Sequence, residues 1–480
     1  MKSFLQTLRH LIGSAHVLTD SDAQPYLTDW RRYCTGRALA ILRPADTQQV
    51  ADIVRLCSQF GVPIVPQGGN TGQVAAATPD ETGTAVVISL QRLNRIRAID
   101  PDNNTITVEA GCILQAVQQA AMAADRLFPL SLGAEGSCFI GGNLATNAGG
   151  TQVLRYGNAR ELALGLEVVT PGGEVWNGLR GLRKDNTGYA LRDLYIGSEG
   201  TLGVITAATL KLFPLPNVQR TAFLAVESLS DTTRILQRAR LMLGTSLTGF
   251  EIMSRACLDL VSETHPQQRL PFSALPSHMQ WYVLLEISSS EDEAHAVHQF
   301  ETLLEQLMEA GLVLDAVIAM TQGQSEAFWR LRESITLALA QSGYCIKHDI
   351  SLAVSMIAAF VRDTDHAIQQ IYPGTRMMVF GHLGDGNLHY NLLGPADALP
   401  ETVAAKEGAI QSLVHERVVA VGGSISAEQG IGSRRVDDLE HFKSPLELAL
   451  MRRIKQALDP QDIMNPGKVL AKTDLSSSKT

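Results

Sequence analysis

Apolar residues recur along this chain in two rhythms. Between Asp46 and Phe60, Val50, Ile53, Val54, Cys57 and Phe60 fall at helical spacing, and Gly61 stands where that helix would stop. VPIVP predicts a short strand running into PQGGNTG, residues 66–72. AVVISL (85–90) and NTITVEAG (104–111) predict two further strands, with PDNN as the turn before the second. ILQAVQQAAMAADRL predicts a helix, ALGLEVVTPGGEVW a hairpin turning at Pro171–Gly173, and the β-branched run Val204, Ile205, Thr206 another strand. Ahead of all these, residues 1–40 predict a short helical lead-in and a polar loop around Asp29–Arg37. Pro214 and Pro216 mark a boundary, beyond which the texture changes. RTAFLAVES, helical SDTTRILQRARLML and TGFEIMS are followed by QWYVLLEISS, a long helix from Glu291 to Ala310, and GLVLDAVIAM. Two strand–helix–strand units in tandem predict a split βαβ sheet with helices on one face.

The helix of residues 113–127 delivers the chain to PLSLGAEGSCFIGGNLATNAGG, residues 129–150. Gly133, Gly136, Gly141, Gly142, Gly149 and Gly150 alternate there with Ser137, Asn143, Thr146 and Asn147. Glycine lets a backbone approach another group closely, and successive N–H groups form a concavity for anionic or polar ligands. Phe139, Ile140 and Leu144 would be out of place in a solvated linker, so the stretch reads as a ligand cradle. PQGGNTG is a second glycine-rich turn after a strand. It lacks both GxGxxG and GxxxxGK[ST], which excludes the Rossmann fingerprint and the P-loop.

Composition narrows the class. The chain has 480 residues, enough for two or three domains. A net charge of −9 argues against a nucleic-acid surface. The 6 cysteines include no CxxC pair and read as reduced and cytosolic. Arg9 and His10 interrupt the N-terminus too early for a secretory segment, and no apolar run approaches the roughly 18 residues that span a membrane. A cytoplasmic protein is expected, with the polar tail TDLSSSKT (473–480) disordered.

Candidate chemistry gathers late in the chain. Arg332 and Thr336 are four apart on a predicted helix and share a face, and Lys347 follows on a predicted strand. A guanidinium fork, a hydroxyl and an ammonium can together hold a carboxylate. In VFGHLGDGNLHYNLLG (379–394), Asp385–Gly386 is a favoured two-residue hairpin turn. Counting outward pairs Gly384 with Asn387, Leu383 with Leu388 and His382 with His389. Directly opposed residues have Cβ atoms roughly 4.5–5.5 Å apart, so two such imidazoles can share a divalent metal or can each bond backbone. GGSISAEQGIG (422–432) offers Glu428 as a third ligand. Two histidines and a carboxylate suit Zn²⁺, Mn²⁺ or Fe²⁺.

PQGGNTG, GSCFIGGNLATNAGG and GSEGTLGVIT stand in an order and spacing that resemble flavoproteins of the vanillyl-alcohol-oxidase type, the PCMH-type FAD-binding fold. The resemblance implies an α+β chain: an FAD-binding domain over 1–216, a substrate or cap domain with antiparallel sheet over 217–425, and a C-terminal helical segment over 426–480 packing near the flavin. It implies flavin contacts for Pro66, Gly68, Gly69, Asn70, Thr71 and Gly72, for Gly133, Ser137, Gly141, Gly142, Asn143, Thr146 and Asn147, and for Gly200 and Ile205. Some relatives tether flavin through a histidine in the first turn. Asn70 stands there here, so FAD is expected to bind non-covalently. Arg332, Thr336, Lys347, His382, His389, Asn391 and Glu428, with DPQDIMNPGKVL (459–470), further resemble the D-2-hydroxyglutarate dehydrogenases, the FAD-linked D-lactate dehydrogenases and the glycolate oxidase flavin subunits. That resemblance covers roughly residues 40–470. It implies carboxylate binding by Arg332, Thr336 and Lys347, substrate contact by Asn391, a metal on His382, His389 and Glu428, and Asn465 near the flavin.

The implied reaction oxidises a D-2-hydroxy acid by hydride transfer to flavin N5, with D-2-hydroxyglutarate the leading substrate and D-lactate, malate or glycolate the alternatives. An electron-transfer flavoprotein, a quinone or a partner subunit would accept the electrons, and a homodimer is compatible. One position departs: relatives carry histidine after the glutamate as the usual general base, and here it is Gln429, which cannot take a proton at neutral pH. Either the metal acidifies the hydroxyl, or His348 serves as base although strand alternation turns it from Lys347, or activity is weak or directed to another substrate. A flavin subunit with little activity alone is the rival reading, and a non-flavin carbohydrate or structural module a more distant one.

Overall fold

The capping chemistry around residues 46–61 explains the first helix of the core. Asp46 accepts a hydrogen bond from the Gln49 N–H at 2.8 Å, Gly61 takes a left-handed φ of 63°, and Val50, Ala51, Ile53, Val54 and Cys57 face inward between them. The computed structural model describes residues 2–272 and 276–472, so the tail at 473–480 lies outside the described residues. In chain order the first elements are α1 (Lys2–Ile12), β1 (Ala40–Leu42), α2 (Thr47–Phe60), β2 (Ile64–Gln67), β3 (Val86–Ser89), β4 (Ile96–Asp100), β5 (Thr105–Glu109), α3 (Leu114–Met122), α4 (Ile140–Ala145), β6 (Ala163–Val169), β7 (Val175–Gly178) and β8 (Val204–Lys211).

Strands β1, β3 and β2 pair in parallel in that order, with Val17–Leu18 antiparallel at the edge. Ile41, Val87 and Ile88 are buried, as expected for a sheet covered on both faces. A second, antiparallel sheet runs β4-β5-β8-β6-β7. β4 escapes the sequence pattern because three of the residues in IRAID that should alternate are instead exposed together. The glycine-rich stretch is not all loop: Ile140–Ala145 forms a short helix that carries Gly141 and Gly142.

The second set comprises β9 (Val218–Val226), α5 (Leu229–Leu243), β10 (Leu247–Ser254), α6 (Arg255–Thr264), β11 (Trp281–Ser289), α7 (Glu293–Glu309), β12 (Asp315–Ile318), α8 (Gln322–Gln341), β13 (Cys345–Ile346), β14 (Asp349–Ser351), α9 (Ile357–Ile371), β15 (Arg376–His382), β16 (Asn387–Leu393) and α10 (Glu407–Ala420). The sheet order is β12-β9-β11-β10-β15-β16-β13, with β14 also on β16, and every pairing is antiparallel. Its first four strands give the split βαβ order that the tandem pattern predicts.

The chain divides into two compact units. One comprises Met1–Gly149, Gly157–Leu215 and Glu428–Thr480; the other comprises Gly150–Tyr156 and Pro216–Ala427. Of the expected third piece at 426–480, the part from Glu428 onward is grouped with the first unit. There Met464 bridges Ile64 at the edge of β2, and α11 (Pro445–Leu458) anchors through Lys455, whose Nζ donates to the Thr201 and Met464 carbonyls at 2.9 and 2.8 Å. No helix among the described residues is long and apolar enough to cross a membrane.

One buried carboxyl makes the second unit pH-sensitive. Tyr390 Oη donates to Asp365 Oδ1 at 2.5 Å, yet burial pushes that carboxyl up to about 6. A free aspartate titrates near ~3.9, so the folded state holds the proton more tightly. The stability this confers is fully present below pH ~4 and is lost as pH rises through about 6. Asp365→Asn is expected to gain on the order of 2 kcal/mol relative to the wild type between pH ~4 and ~7. Urea denaturation at both values checks this, and a pH-independent difference would refute it.

Candidate active site

In the first unit the glycine-rich turns line a cleft. Pro66, Gly68, Ala76, Gly141, Gly142, Thr146, Glu199, Gly200 and Ile205 are among its walls. A Cβ on Gly69 would lie 2.1 Å from the Ser137 carbonyl oxygen, so only glycine lets the two turns meet. Gly142 is the opposite case: a Cβ there would meet nothing within 4 Å, because that edge of α4 faces open space. Gly72 and Gly133 are equally open, whereas Gly200 takes a φ of +73° against Pro66. A bare backbone wall of this kind accommodates a flat ring system or a phosphate chain, so the residues present fit an FAD.

The polar side chains between the glycines bond mainly to the protein itself. Asn70 Nδ2 donates to the Thr28 carbonyl at 2.8 Å, Thr146 Oγ1 to the Gly142 carbonyl at 3.1 Å, and Ser137 Oγ to the Ala134 carbonyl at 3.4 Å. Asn147 Oδ1 accepts from the Arg160 N–H at 3.0 Å, and Asn143 Nδ2 lies 3.6 Å from Cys138 Sγ. These residues therefore set the wall's shape. Asn70 and Asn147 hold φ values of 53° and 51°, a conformation asparagine tolerates. Thr71 is half-buried beside them. Asn465 Nδ2 donates to the carbonyls of Ala76 and Glu199 at 2.9 and 2.8 Å, while its buried Oδ1 meets no partner among the described residues.

Glu199, which sequence reasoning passed over, clamps the later turn. Its carboxylate accepts from the Ile431 and Gly432 N–H groups, both at 2.7 Å. Burial pushes its pKa up, against those two bonds. The only signal was an acid within a run of small residues, GSEGT.

In the second unit the hairpin register differs from the predicted one. Phe380 pairs with His389 and Val379 with Tyr390, so Leu383–Gly386 forms a four-residue turn and His382 does not oppose His389. The slip is by two residues. An even slip preserves the face, and the two imidazoles become diagonal neighbours with centroids 5.5 Å apart. Each has a carboxylate beside it. His382 Nδ1 lies 2.6 Å from Glu251 Oε1, and His389 Nδ1 lies 3.7 Å from Asp349 Oδ1. Burial drives the His389 pKa well down, so the ring is neutral. Ala427 donates its N–H to the Asp349 carbonyl at 3.0 Å, and Glu428 is the next residue. Gln429 follows, half-buried. His382 and His389 present two ring-nitrogen donors side by side. The two imidazoles are donors of the kind a divalent ion of the zinc type takes.

Glu251 is the second residue that sequence reasoning missed. It is wholly buried on β10, directly opposite His382 on β15, and its Oε2 receives the Arg332 Nε–H at 2.8 Å. Burial would raise its pKa, but His382 and Arg332 outweigh that and hold it at about 2. The Arg332 guanidinium stacks 4.8 Å above the Phe380 ring. Thr336 lies one turn further along α8, half-buried, and Lys347 is half-buried between β13 and β14. Asn391 shares the His389 face of β16, and its Oδ1 accepts from the His348 N–H at 3.2 Å. His348 itself turns away: its buried ring bonds the Tyr390 carbonyl at 2.8 Å and packs against His415, on the opposite face from His389. The expectation of His348 as a base is corrected by that orientation.

Residues 38–178 match the FAD binding domain model and residues 215–469 the model for the FAD linked oxidases, C-terminal domain. A Bos taurus protein named D-2-hydroxyglutarate dehydrogenase, mitochondrial, is 40% identical over 469 residues, 97% of this chain and 83% of its own. A D-2-hydroxyglutarate dehydrogenase of Xanthomonas citri pv. viticola is 39% identical, over 98% of this chain and 97% of its own. A solved p-cresol methylhydroxylase superposes with a TM-score of 0.74 at 17% identity, covering 98% of this chain and 97% of its own, which makes the fold PCMH-type. On these matches the chain is an FAD-dependent oxidoreductase and belongs to the FAD-linked oxidase family.

Proposed function

We propose that this chain oxidises D-2-hydroxyglutarate to the 2-oxo acid. The observation that carries the reading is the buried Arg332–Glu251–His382 chain beside His389, which sets a carboxylate-binding fork next to a metal-ligand pair. The names of the relatives support the same substrate. Arg332 would bind one carboxylate through its terminal nitrogens, since Nε is bonded to Glu251. Thr336 and Lys347 favour a second carboxylate, and so a dicarboxylic acid over lactate or glycolate, which stay as the alternatives.

His382, His389 and Glu428 would hold the divalent ion, zinc before manganese or iron. A histidine bonded at Nδ1 to a carboxylate ligates through Nε2. Such an ion supplies positive charge at the substrate hydroxyl and lowers its pKa. Asn391 would hydrogen-bond the acid on the His389 face. Gln429 can orient a hydroxyl but cannot take its proton. Bound FAD supplies the hydride acceptor. Asn70, bonded to Thr28, supports a flavin held without a covalent tether.

The test is anaerobic. The purified yellow protein is mixed separately with D-2-hydroxyglutarate, D-malate, D-lactate and glycolate, before and after chelation. D-2-hydroxyglutarate is expected to bleach the flavin fastest, and chelation to abolish the bleaching. Bleaching by none of the acids would sink the reading while leaving the FAD site standing.

A further inference from the structure

We propose that Glu251 is a positioning residue shared by the two halves of the acid site, fixing the metal-ligand ring of His382 and the carboxylate-binding fork of Arg332 with one side chain. This rests on the reading given under Proposed function. Glu251 is wholly buried, and its two oxygens are divided between the partners: Oε1 lies 2.6 Å from His382 Nδ1 and Oε2 2.8 Å from Arg332 Nε. Neither oxygen can serve the other partner without turning the carboxylate. The backbone fixes the first contact, since Glu251 and His382 oppose each other across β10 and β15. The second contact comes from α8, where Arg332 is itself buried and stacked on Phe380.

Two consequences follow from chemistry alone. A carboxylate at Nδ1 sets the ring's tautomer and aim, and removing such a partner typically weakens metal binding about 10- to 100-fold. A carboxylate at Nε leaves only the two terminal nitrogens of the guanidinium for an acid, so it sets the direction from which substrate is gripped. Glutamine cannot replace it. Its amide keeps one acceptor oxygen and turns an NH₂ donor toward one of two donors.

The experiment uses the full-length flavoprotein as wild type, Glu251→Gln and Glu251→Asp, each stripped with EDTA. Zn²⁺ affinity is measured by calorimetry, KM and kcat with D-2-hydroxyglutarate and a dye acceptor, and folding by thermal melting. Zn²⁺ affinity about 10- to 100-fold weaker together with KM raised about tenfold or more, in a folded Glu251→Gln protein, supports the proposal. A purely structural role would lower the melting temperature and leave both readouts in place, which overturns it. Loss of only one readout overturns the shared role. Should Glu251→Gln not fold, Glu251→Asp decides on the same criteria, since it keeps the charge but is one methylene too short to span both partners. A wild type that binds neither Zn²⁺ nor the acid overturns the reading of the site, and this proposal with it; a wild type that binds both while the variants match it overturns this proposal alone.

Discussion

Replacing His389 by alanine is expected to remove the divalent ion proposed for this site and to lower kcat by about 10²- to 10³-fold, with KM for the acid changed far less. The magnitude follows from the several kcal/mol of charge stabilisation that a metal provides at a reacting oxygen. The asymmetry follows from the geometry. His389 sits diagonally from His382 at 5.5 Å between centroids, and its ring is kept neutral by burial, the form that ligates. Arg332, which would grip the carboxylate, keeps its bond to Glu251 on a different strand from His389. The ring's packing on Phe380, 4.9 Å away, is lost too, at a cost on the order of 1 kcal/mol in stability. Metal content by mass spectrometry and steady-state kinetics with a dye acceptor check both halves. A variant with wild-type metal content and turnover would eliminate His389 as a ligand.

A second large effect is expected at Gly142. Valine there should yield a folded but colourless protein. The side chain would project into the cleft, where a Cβ meets no protein atom within 4 Å, so it displaces the cofactor and not the chain. Its melting temperature is expected to stay within a few degrees of flavin-stripped wild type, since on the order of 1 kcal/mol shifts a chain of this size by only that much. Gly69 provides the contrast. Any side chain there collides with the Ser137 carbonyl at 2.1 Å, so Gly69→Val should fail to fold. Visible absorbance and melting curves separate the two results. A Gly142→Val protein that stays yellow would move the flavin out of this cleft.

Local pattern alone determined a good deal. Asp46 and Gly61 bracket α2, the tandem strand–helix–strand texture becomes the split βαβ sheet, and the glycines of 66–72 and 133–142 meet where the cleft lies. These features depend on capping, periodicity and the missing Cβ, all of which act over a few residues. Face, too, was legible: His382, His389 and Asn391 alternate with apolar neighbours, and that parity survived a hairpin turn two residues longer than Asp385–Gly386 suggests.

Register itself was not legible, because it is fixed by strands far away in sequence. β15 pairs with β10 as well as with β16, and β14 caps the other edge of β16, so the turn yields to the sheet. The partners of the site escaped for the same reason. Glu251 is 131 residues from His382 and 81 from Arg332, and Glu199 is 232 residues from Ile431. On its own, a glutamate inside an apolar strand reads as a misfit, and His348 beside Lys347 as a candidate base. Only tertiary packing gave Glu251 its two partners, His382 and Arg332, and turned His348 onto the far face, because a buried carboxylate must find hydrogen-bond donors wherever the fold brings them.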